Sequence, residues 1–400
     1  MRATLVALLL AGCGAVSTDR CQKVKAELDA CVGSTVPDLD CSTLSDADLD
    51  RVHDLTQGLS CKLLAGALPL DGDYVSATCR LLDLGCVAPL TPALASMRTR
   101  YPVLLVNGID TSPLFRYSER ILTALASEPV YLATLPPYQP PRRRAPLLWA
   151  RMQAVMAATG APRVNLICHS LGGLDCRYVA SPAGLAADVG DESIFAAVAS
   201  VTTIGTAHEG TPVADALLGF VPSTERGQLV RDFATLVGDW FTPSVLTEDA
   251  DVIGALGALS VTQAPAFNAE IVDAPDVYYQ SFAGFSSARG DASAERDARV
   301  TTACAADGDA ITGPLLPLRH DWLALPLAPF APYLAGDGNE PSDGLIPVSS
   351  TRWGHFRGCV PADHMEQLGQ RDLPDTNVRT GFDVARFYAN LADDLATRGF

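Results

Sequence analysis

One serine of this chain stands between a run of apolar residues and a pair of glycines. Residues 164–176 read VNLICHSLGGLDC. The first four residues predict a short buried strand, and residues 174–179 continue at helical spacing. Gly172 and Gly173 permit the close backbone approach that a sharp strand-to-helix turn requires. Ser170 is therefore predicted to lie on this turn with its hydroxyl pushed out of the sheet, which is the geometry of a nucleophile elbow.

A serine hydroxyl is a weak nucleophile unless a histidine removes its proton and a carboxylate orients that histidine. In α/β-hydrolases, which carry such an elbow, the three groups follow in the chain order serine, acid, histidine. His364 lies on a late loop before helical spacing resumes, and this position favours it as the base. Chain order alone does not exclude His320 or His355. His169 adjoins the serine and is expected to point elsewhere.

The acid is predicted from the sequence EPSDGLIPVSS. Asp343 precedes Gly344 at a predicted turn, and a short strand is expected to follow. A carboxylate at such a turn is suitably placed to orient the histidine. Asp337 and Asp363 remain alternatives, although both are typical turn residues.

The developing charge on a carbonyl oxygen needs two backbone N–H donors. One donor comes from the residue after the nucleophile, which is Leu171. The other is expected from the loop after the first strand, and Ile109 in LLVNGID is our candidate. Because both donors are main-chain N–H groups, these two assignments depend on the positions of the residues in the chain and not on their side-chain types.

The elements that must position these residues alternate between strands and helices from residue 101 onward. Strands are predicted at residues 103–106, 129–135, 164–167 and 197–204, and an amphipathic helix runs through residues 147–156. The arginine triplet in PPYQPPRRRAP is interpreted as a solvated loop. This alternation predicts an α/β fold with a doubly wound, mostly parallel sheet.

Several blocks together resemble the Pseudomonas/Burkholderia-type family of secreted bacterial true lipases. They are YPVLLVNGID, RRRAPLLWARMQAVMAATGAPRVNLICHSLGGLDCRYVAS, VTTIGTAHEGTPVAD, SDGLIPVSSTRWG and DHMEQLGQ, in the family's order. The resemblance implies an α/β-hydrolase fold and hydrolysis of triacylglycerols or other carboxylic esters. It also implies a triad of Ser170, Asp343 and His364, with no cofactor required for the chemistry. Cys168, Asn107 and Ala207 depart from the family pattern.

The resemblance implies further features around the site. It suggests a disulfide between Cys304 and Cys359, a structural Ca²⁺ held by Asp321, Glu366 and Gln370, and a helical lid at residues 211–267. Whether a dedicated foldase is a partner of this chain stays open. For Cys168 and Cys176 the sequence predicts two buried thiols rather than a disulfide, because free cysteines are commonly buried and a bond between these two would be strained.

The N-terminal part carries targeting and cysteine signals. Residues 1–12 are predicted to be a lipoprotein signal peptide, because one arginine precedes an apolar run that is too short to span a bilayer. The sequence LAGC at residues 10–13 resembles the bacterial lipobox, the signal at which a cysteine becomes the acylated first residue of the mature protein. Cys13 is then predicted to be acylated, and the acyl chains are expected to anchor the protein to the outer membrane of a bacterial envelope. Residues 13–90 predict a cysteine-rich, mostly helical accessory module, residues 91–100 a linker, and residues 101–400 the lipase-like domain. Eleven cysteines favour an oxidising compartment.

The net charge of -17 argues against nucleic acid as a partner, because the phosphates would repel the chain. The expected partners are a lipid or ester substrate and, through the acylated N-terminus, a membrane. Two other function classes remain open. One is a phospholipase or acyltransferase with the same triad, and the other is a non-catalytic binding lipoprotein with an α/β-hydrolase-like fold.

Overall fold

We describe a computed structural model of the 400-residue chain. The described residues are 98–111, 115–126, 128–219, 250–286, 294–308, 340–369 and 382–400, with positions 20, 22–24, 26, 27, 30, 323, 327, 330 and 334. The chain divides into two compact units, Met1–Pro89 with Arg371–Asp383, and Leu90–Gln370 with Val384–Phe400. The predicted signal peptide and nearly all of the accessory module and linker lie outside the described residues. Those domain boundaries stay predictions.

The second unit is built on a parallel sheet with helices between its strands. The strands in its described part are β1 (Val103–Val106), β2 (Val130–Ala133), β3 (Val164–His169), β4 (Val198–Ile204), β5 (Tyr278–Gly284) and β6 (His355–Val360). They form one sheet in the order β2-β1-β3-β4-β5-β6, and every neighbouring pair is parallel. The order reverses beside β1, which confirms the predicted doubly wound α/β fold.

Helices connect these strands. In the described part they are α1 (Glu119–Ala124), α2 (Pro141–Thr159), α3 (Leu171–Ala180), α4 (Leu185–Val189), α5 (Ser193–Ala196), α6 (Pro212–Gly219), α7 (Val252–Ala258), α8 (Ala264–Glu270), α9 (Ala294–Ala303) and α10 (Val384–Thr397). Among the described residues, no helix combines the length and the apolar character that a membrane crossing requires. Helices α6 and α7 and the first half of α8 fall within the predicted lid at residues 211–267, of which residues 220–249 lie outside the described part.

The central strands are buried on both faces. Every residue of β1, β3 and β4 is buried. Continuous apolar runs at these positions are typical of parallel strands covered by helices on both sides. The sequence therefore identified these strands correctly, with no boundary more than two residues from the observed one.

The arginine triplet does not form a solvated loop, so that interpretation is wrong. Residues 142–144 lie in the first turn of α2, which begins with Pro141 at its first helical position. Proline is well suited to this position because its fixed φ matches the helix and its missing N–H would have had no helical partner. Arg142 and Arg143 are exposed, but Arg144 points into the protein and is fully buried.

Two disulfides are present among the described residues. One joins Cys304 to Cys359, as the family resemblance implied. The other joins Cys168 in β3 to Cys176 in α3. The expectation of two buried thiols at these positions was wrong, because the elbow brings the strand end and the helix close enough for a bond.

Candidate active site

Ser170 lies between β3 and α3 in a backbone conformation that non-glycine residues rarely adopt, with φ of 56° and ψ of -130°. Holding a residue in such a region costs about 1 to 3 kcal/mol and needs support from its surroundings. The Ser170 N–H donates to the carbonyl of Ile204 at 3.0 Å, and the Thr206 hydroxyl donates to the Ser170 carbonyl at 2.8 Å. The predicted nucleophile therefore stands on a strained, well-supported elbow.

The two glycines after the serine are required by close contacts. A Cβ at Gly172 would come within 2.5 Å of the Asn107 carbonyl oxygen, and a Cβ at Gly173 within 2.1 Å of the Thr206 hydroxyl. Neither distance leaves space for a methyl group. The glycine pair thus lets the start of α3 pack directly against the ends of β1 and β4.

The predicted acid and base lie together in the structure. The Nδ1 atom of His364 is 2.7 Å from Oδ2 of Asp343, and the His364 N–H donates to the Asp343 carbonyl at 2.9 Å. Both side chains are buried. A Cβ on Gly205, which follows β4, would lie 3.0 Å from the same carboxylate oxygen. The pair therefore lies at the carboxyl edge of the sheet, the edge at which Ser170 follows β3.

The Asp343 carboxylate accepts further hydrogen bonds. Its Oδ1 atom accepts from the Leu345 and Ile346 N–H groups at 3.0 and 2.8 Å. Its Oδ2 atom accepts from Nε2 of Gln367 at 2.9 Å, in addition to His364. Sequence reasoning missed Gln367, because an amide in a short 3₁₀ helix, here Glu366–Leu368, carries no signal that it will reach a carboxylate. The four donors hold the carboxylate in one orientation.

His169 does not point away from the site, contrary to expectation. Its ring centroid lies 4.5 Å from that of His364, and the side chain is fully buried. Burial and, to a smaller extent, the neighbouring His364 hold the pKa of His169 well below its usual value, so its ring stays neutral. This contact places the His364 imidazole beside the residue that precedes Ser170.

The alternative bases and acids fall elsewhere or outside the described residues. His355 begins β6 at the surface, where its ring stacks on Tyr278. Asp363 uses its Oδ1 to accept the Met365 and Glu366 N–H groups and so caps the turn after the histidine. His320 and Asp337 are not described. The short strand expected directly after the Asp343 turn is absent: Ser342 and Pro347 form an isolated bridge, and residues 348–351 form a 3₁₀ helix.

The loop that carries the predicted oxyanion donor Ile109 is held by buried side chains. The Arg144 guanidinium donates to the Asn107 and Gly108 carbonyls at 2.8 and 2.7 Å. In a trans peptide the N–H points opposite to the carbonyl, so fixing the Gly108 carbonyl also fixes the direction of the Ile109 N–H. The other predicted donor, Leu171, is the first residue of α3, where helices leave N–H groups without an internal partner.

Other contacts hold the same loop from its remaining sides. Nε of Arg144 forms an ion pair with Asp175 of α3 at 2.9 Å, and both side chains are fully buried. Burial raises the pKa of Asp175, while Arg144 opposes this shift. The Tyr138 N–H donates to the Ile109 carbonyl at 2.9 Å. Asn107, which departs from the family pattern, accepts the Leu135 N–H at 2.6 Å and so ties the loop to the end of β2.

The signal for Arg144 was present in the sequence but weak. A proline followed by three arginines and a helical apolar pattern is consistent with a helix start. Which arginine faces inward follows from the packing of α2 on the sheet, and an exposed face is the ordinary position for arginine. Its role in the loop therefore became visible only in the folded chain.

The predicted calcium site is described only in part, since Asp321 and Gln370 lie outside the described residues. Glu366 uses one carboxylate oxygen to accept the Asp363 N–H at 3.2 Å. No group of three acidic, histidine or cysteine side chains suited to a metal ion is found among the described residues. The calcium ion stays a prediction.

Part of the chain is similar to curated bacterial lipases. It is 37% identical over 182 residues to triacylglycerol lipases of Pseudarthrobacter phenanthrenivorans and Burkholderia plantarii, covering 42% of this chain and 53% and 48% of those proteins. It is 40% identical over 131 residues to the triacylglycerol lipase of Vibrio cholerae, covering 32% of this chain and 38% of that protein. The chain thus spans about half the length of the first two relatives.

No protein-family model matches the chain. Among solved structures, the Staphylococcus hyicus lipase is similar over 76% of this chain and 98% of its own, with 16% identity and a TM-score of 0.48. The strand order and the strained elbow at Ser170 identify the fold, and the similarity in sequence is to the curated lipases. This chain has the α/β-hydrolase fold, and the part of it that matches is similar in sequence to bacterial triacylglycerol lipases.

Proposed function

We propose that the protein is a serine carboxylic-ester hydrolase, a triacylglycerol lipase or esterase that acts through an acyl-enzyme. The observation that carries this proposal is the 2.7 Å contact between Nδ1 of His364 and Asp343. It leaves the other ring nitrogen of His364 free to take the proton of Ser170. The relatives named triacylglycerol lipase support the same reaction class.

The mechanism follows from these positions. His364 takes the Ser170 proton as the hydroxyl oxygen attacks the ester carbonyl, and Asp343 keeps the imidazole oriented and stabilises its charge. The Ile109 and Leu171 N–H groups donate to the oxyanion. The leaving alcohol receives the proton from His364. Water, activated by the same histidine, then hydrolyses the acyl-enzyme and regenerates the serine.

The test is the hydrolysis of p-nitrophenyl butyrate and p-nitrophenyl palmitate by the purified full chain and its Ser170→Ala variant. We expect kcat to fall by at least about 10³-fold in the variant, because the nucleophile is removed while the fold is kept. Ser193→Ala changes an exposed serine at the start of α5 and serves as the matched control, with unchanged kcat expected.

The outcomes separate the functions that the sequence leaves open. Equal rates for the wild type and Ser170→Ala would contradict the proposal. Absence of turnover in the wild type would favour a binding protein. Turnover of the butyrate ester alone would restrict the function to an esterase, and release of fatty acid from phosphatidylcholine vesicles would favour a phospholipase.

The cellular location is a separate proposal. Two disulfides between buried cysteines support an oxidising compartment such as the cell envelope. Acylation of Cys13 would anchor the protein to the membrane there and bring the site close to lipid substrates.

A further inference from the structure

We propose that the Cys168–Cys176 disulfide positions the nucleophile and the oxyanion donors, and that Cys168 and Cys176 are therefore positioning residues for the reaction. The inference rests on the proposed function and adds a covalent element to its site. The bond spans the elbow itself. Cys168 is the fifth residue of β3 and Cys176 the sixth of α3, so the ring that the bond closes contains Ser170.

The elbow needs such a restraint because its backbone is strained. Ser170 keeps a φ of 56° only as long as the strand before it and the helix after it hold their relative positions. The hydrogen bonds to Ile204 and from Thr206 fix Ser170 to β4 and its loop. The disulfide differs from these hydrogen bonds because it links the strand before the turn covalently to the helix after it.

The helix fixed by the disulfide also carries the other parts of the oxyanion site. Leu171, a predicted donor, is the first residue of α3. Asp175 adjoins Cys176 and pairs with Arg144, whose guanidinium holds the carbonyls before Ile109. A shift of α3 against β3 would therefore move the nucleophile, one donor and the support of the other donor together.

The burial of the bond favours a permanent structural link over a redox switch. Both cysteines are fully buried, within the apolar core between the sheet and α2. A water-soluble thiol can reach neither sulfur while the protein stays folded. The disulfide is thus expected to remain closed through catalysis.

The experiment compares two disulfide removals in the full chain. Cys168→Ala with Cys176→Ala removes the elbow bond, and Cys304→Ala with Cys359→Ala removes a second buried disulfide as the matched control. For each protein we would measure Tm, kcat and KM on p-nitrophenyl butyrate, and the rate constant of Ser170 phosphonylation by a fluorophosphonate. All rates are taken well below the lowest Tm.

We expect the elbow variant to lose about tenfold or more in kcat and in phosphonylation rate, with KM within about twofold, because small misplacements of reacting groups cost rate strongly. The control is expected to lose Tm but keep its phosphonylation rate within about twofold. Cys168→Ala with Cys176→Val fills part of the lost volume without the bond, and the same loss of rate is expected. It also replaces the first variant if that one does not fold.

Two results would overturn the inference. One is an elbow variant that reacts within about twofold of the wild type, and the other is an equal loss of rate in both disulfide removals. Failure of the wild type to react with the fluorophosphonate would instead contradict the proposed function, so the two failures are distinguishable.

Discussion

Arg144 shows how a single buried side chain can set the direction of a backbone N–H group, here that of the predicted oxyanion donor Ile109. The two terminal nitrogens of its planar fork donate to two successive carbonyls, and its Nε atom lies in an ion pair with a buried carboxylate. Lysine carries the same charge on a single ammonium group and has no such fork. The geometry of the donor set, rather than the charge, is therefore what the loop requires.

Replacing Arg144 by lysine tests this requirement. We expect Arg144→Lys to lower kcat by about tenfold to a hundredfold with a smaller change in KM, since a loosened loop weakens an oxyanion donor that acts mainly in the transition state. Steady-state kinetics on p-nitrophenyl butyrate give both constants. Arg143→Lys, at the exposed neighbouring position of α2, is the matched control. An Arg144→Lys enzyme with wild-type kcat would show that the loop does not depend on the fork.

At the scale of elements, the site depends on how closely α3 approaches the ends of its neighbouring strands. The helix starts within contact distance of the Asn107 carbonyl and the Thr206 side chain, and its first turn contains two glycines at these contacts. Packing this tight tolerates added atoms poorly. A shift of the elbow, of α3 or of the oxyanion loop is thus expected to move the other two.

Adding one methyl group at Gly173 tests this packing. We expect Gly173→Ala to destabilise the protein by about 1 to 3 kcal/mol, because the new Cβ would clash with Thr206 and push α3 outward. The activity should fall with it, since Thr206 also supports the Ser170 carbonyl. Thermal unfolding and kcat are the measurements. Gly308→Ala, where a Cβ meets nothing within 4 Å, should leave both unchanged, and equal effects at the two positions would contradict the prediction.

At the scale of the whole molecule, the sequence predicts a tethered enzyme. The predicted signal peptide and lipobox lie before the hydrolase domain, and about 90 residues, containing the accessory module, separate Cys13 from that domain. A tether of this kind would keep the site near membrane lipids whatever its substrate.

Cell fractionation tests the tether. We expect the wild type in the membrane fraction and a Cys13→Ala variant in the soluble fraction, because more than one acyl chain is needed for stable anchoring and the variant has none. Mass analysis of the mature N-terminus reports the lipid directly. Ser17→Ala, four residues away, should remain with the membrane. A membrane-bound Cys13→Ala protein without lipid would contradict acylation as the anchor.

The sequence by itself determined the elbow, the order of the central strands along the chain and the residues nominated as nucleophile, acid and base. Buried parallel strands leave continuous apolar runs, and a strand-to-helix turn leaves a serine followed by glycines, so local patterns are enough to find them. The tertiary structure decided the inward position of Arg144, the bond between Cys168 and Cys176, and the contacts of Gln367 and His169. Each of these depends on which side of an element faces the core and on which distant segment lies opposite. A local pattern carries neither piece of information, because both arise from the packing of helices on the sheet.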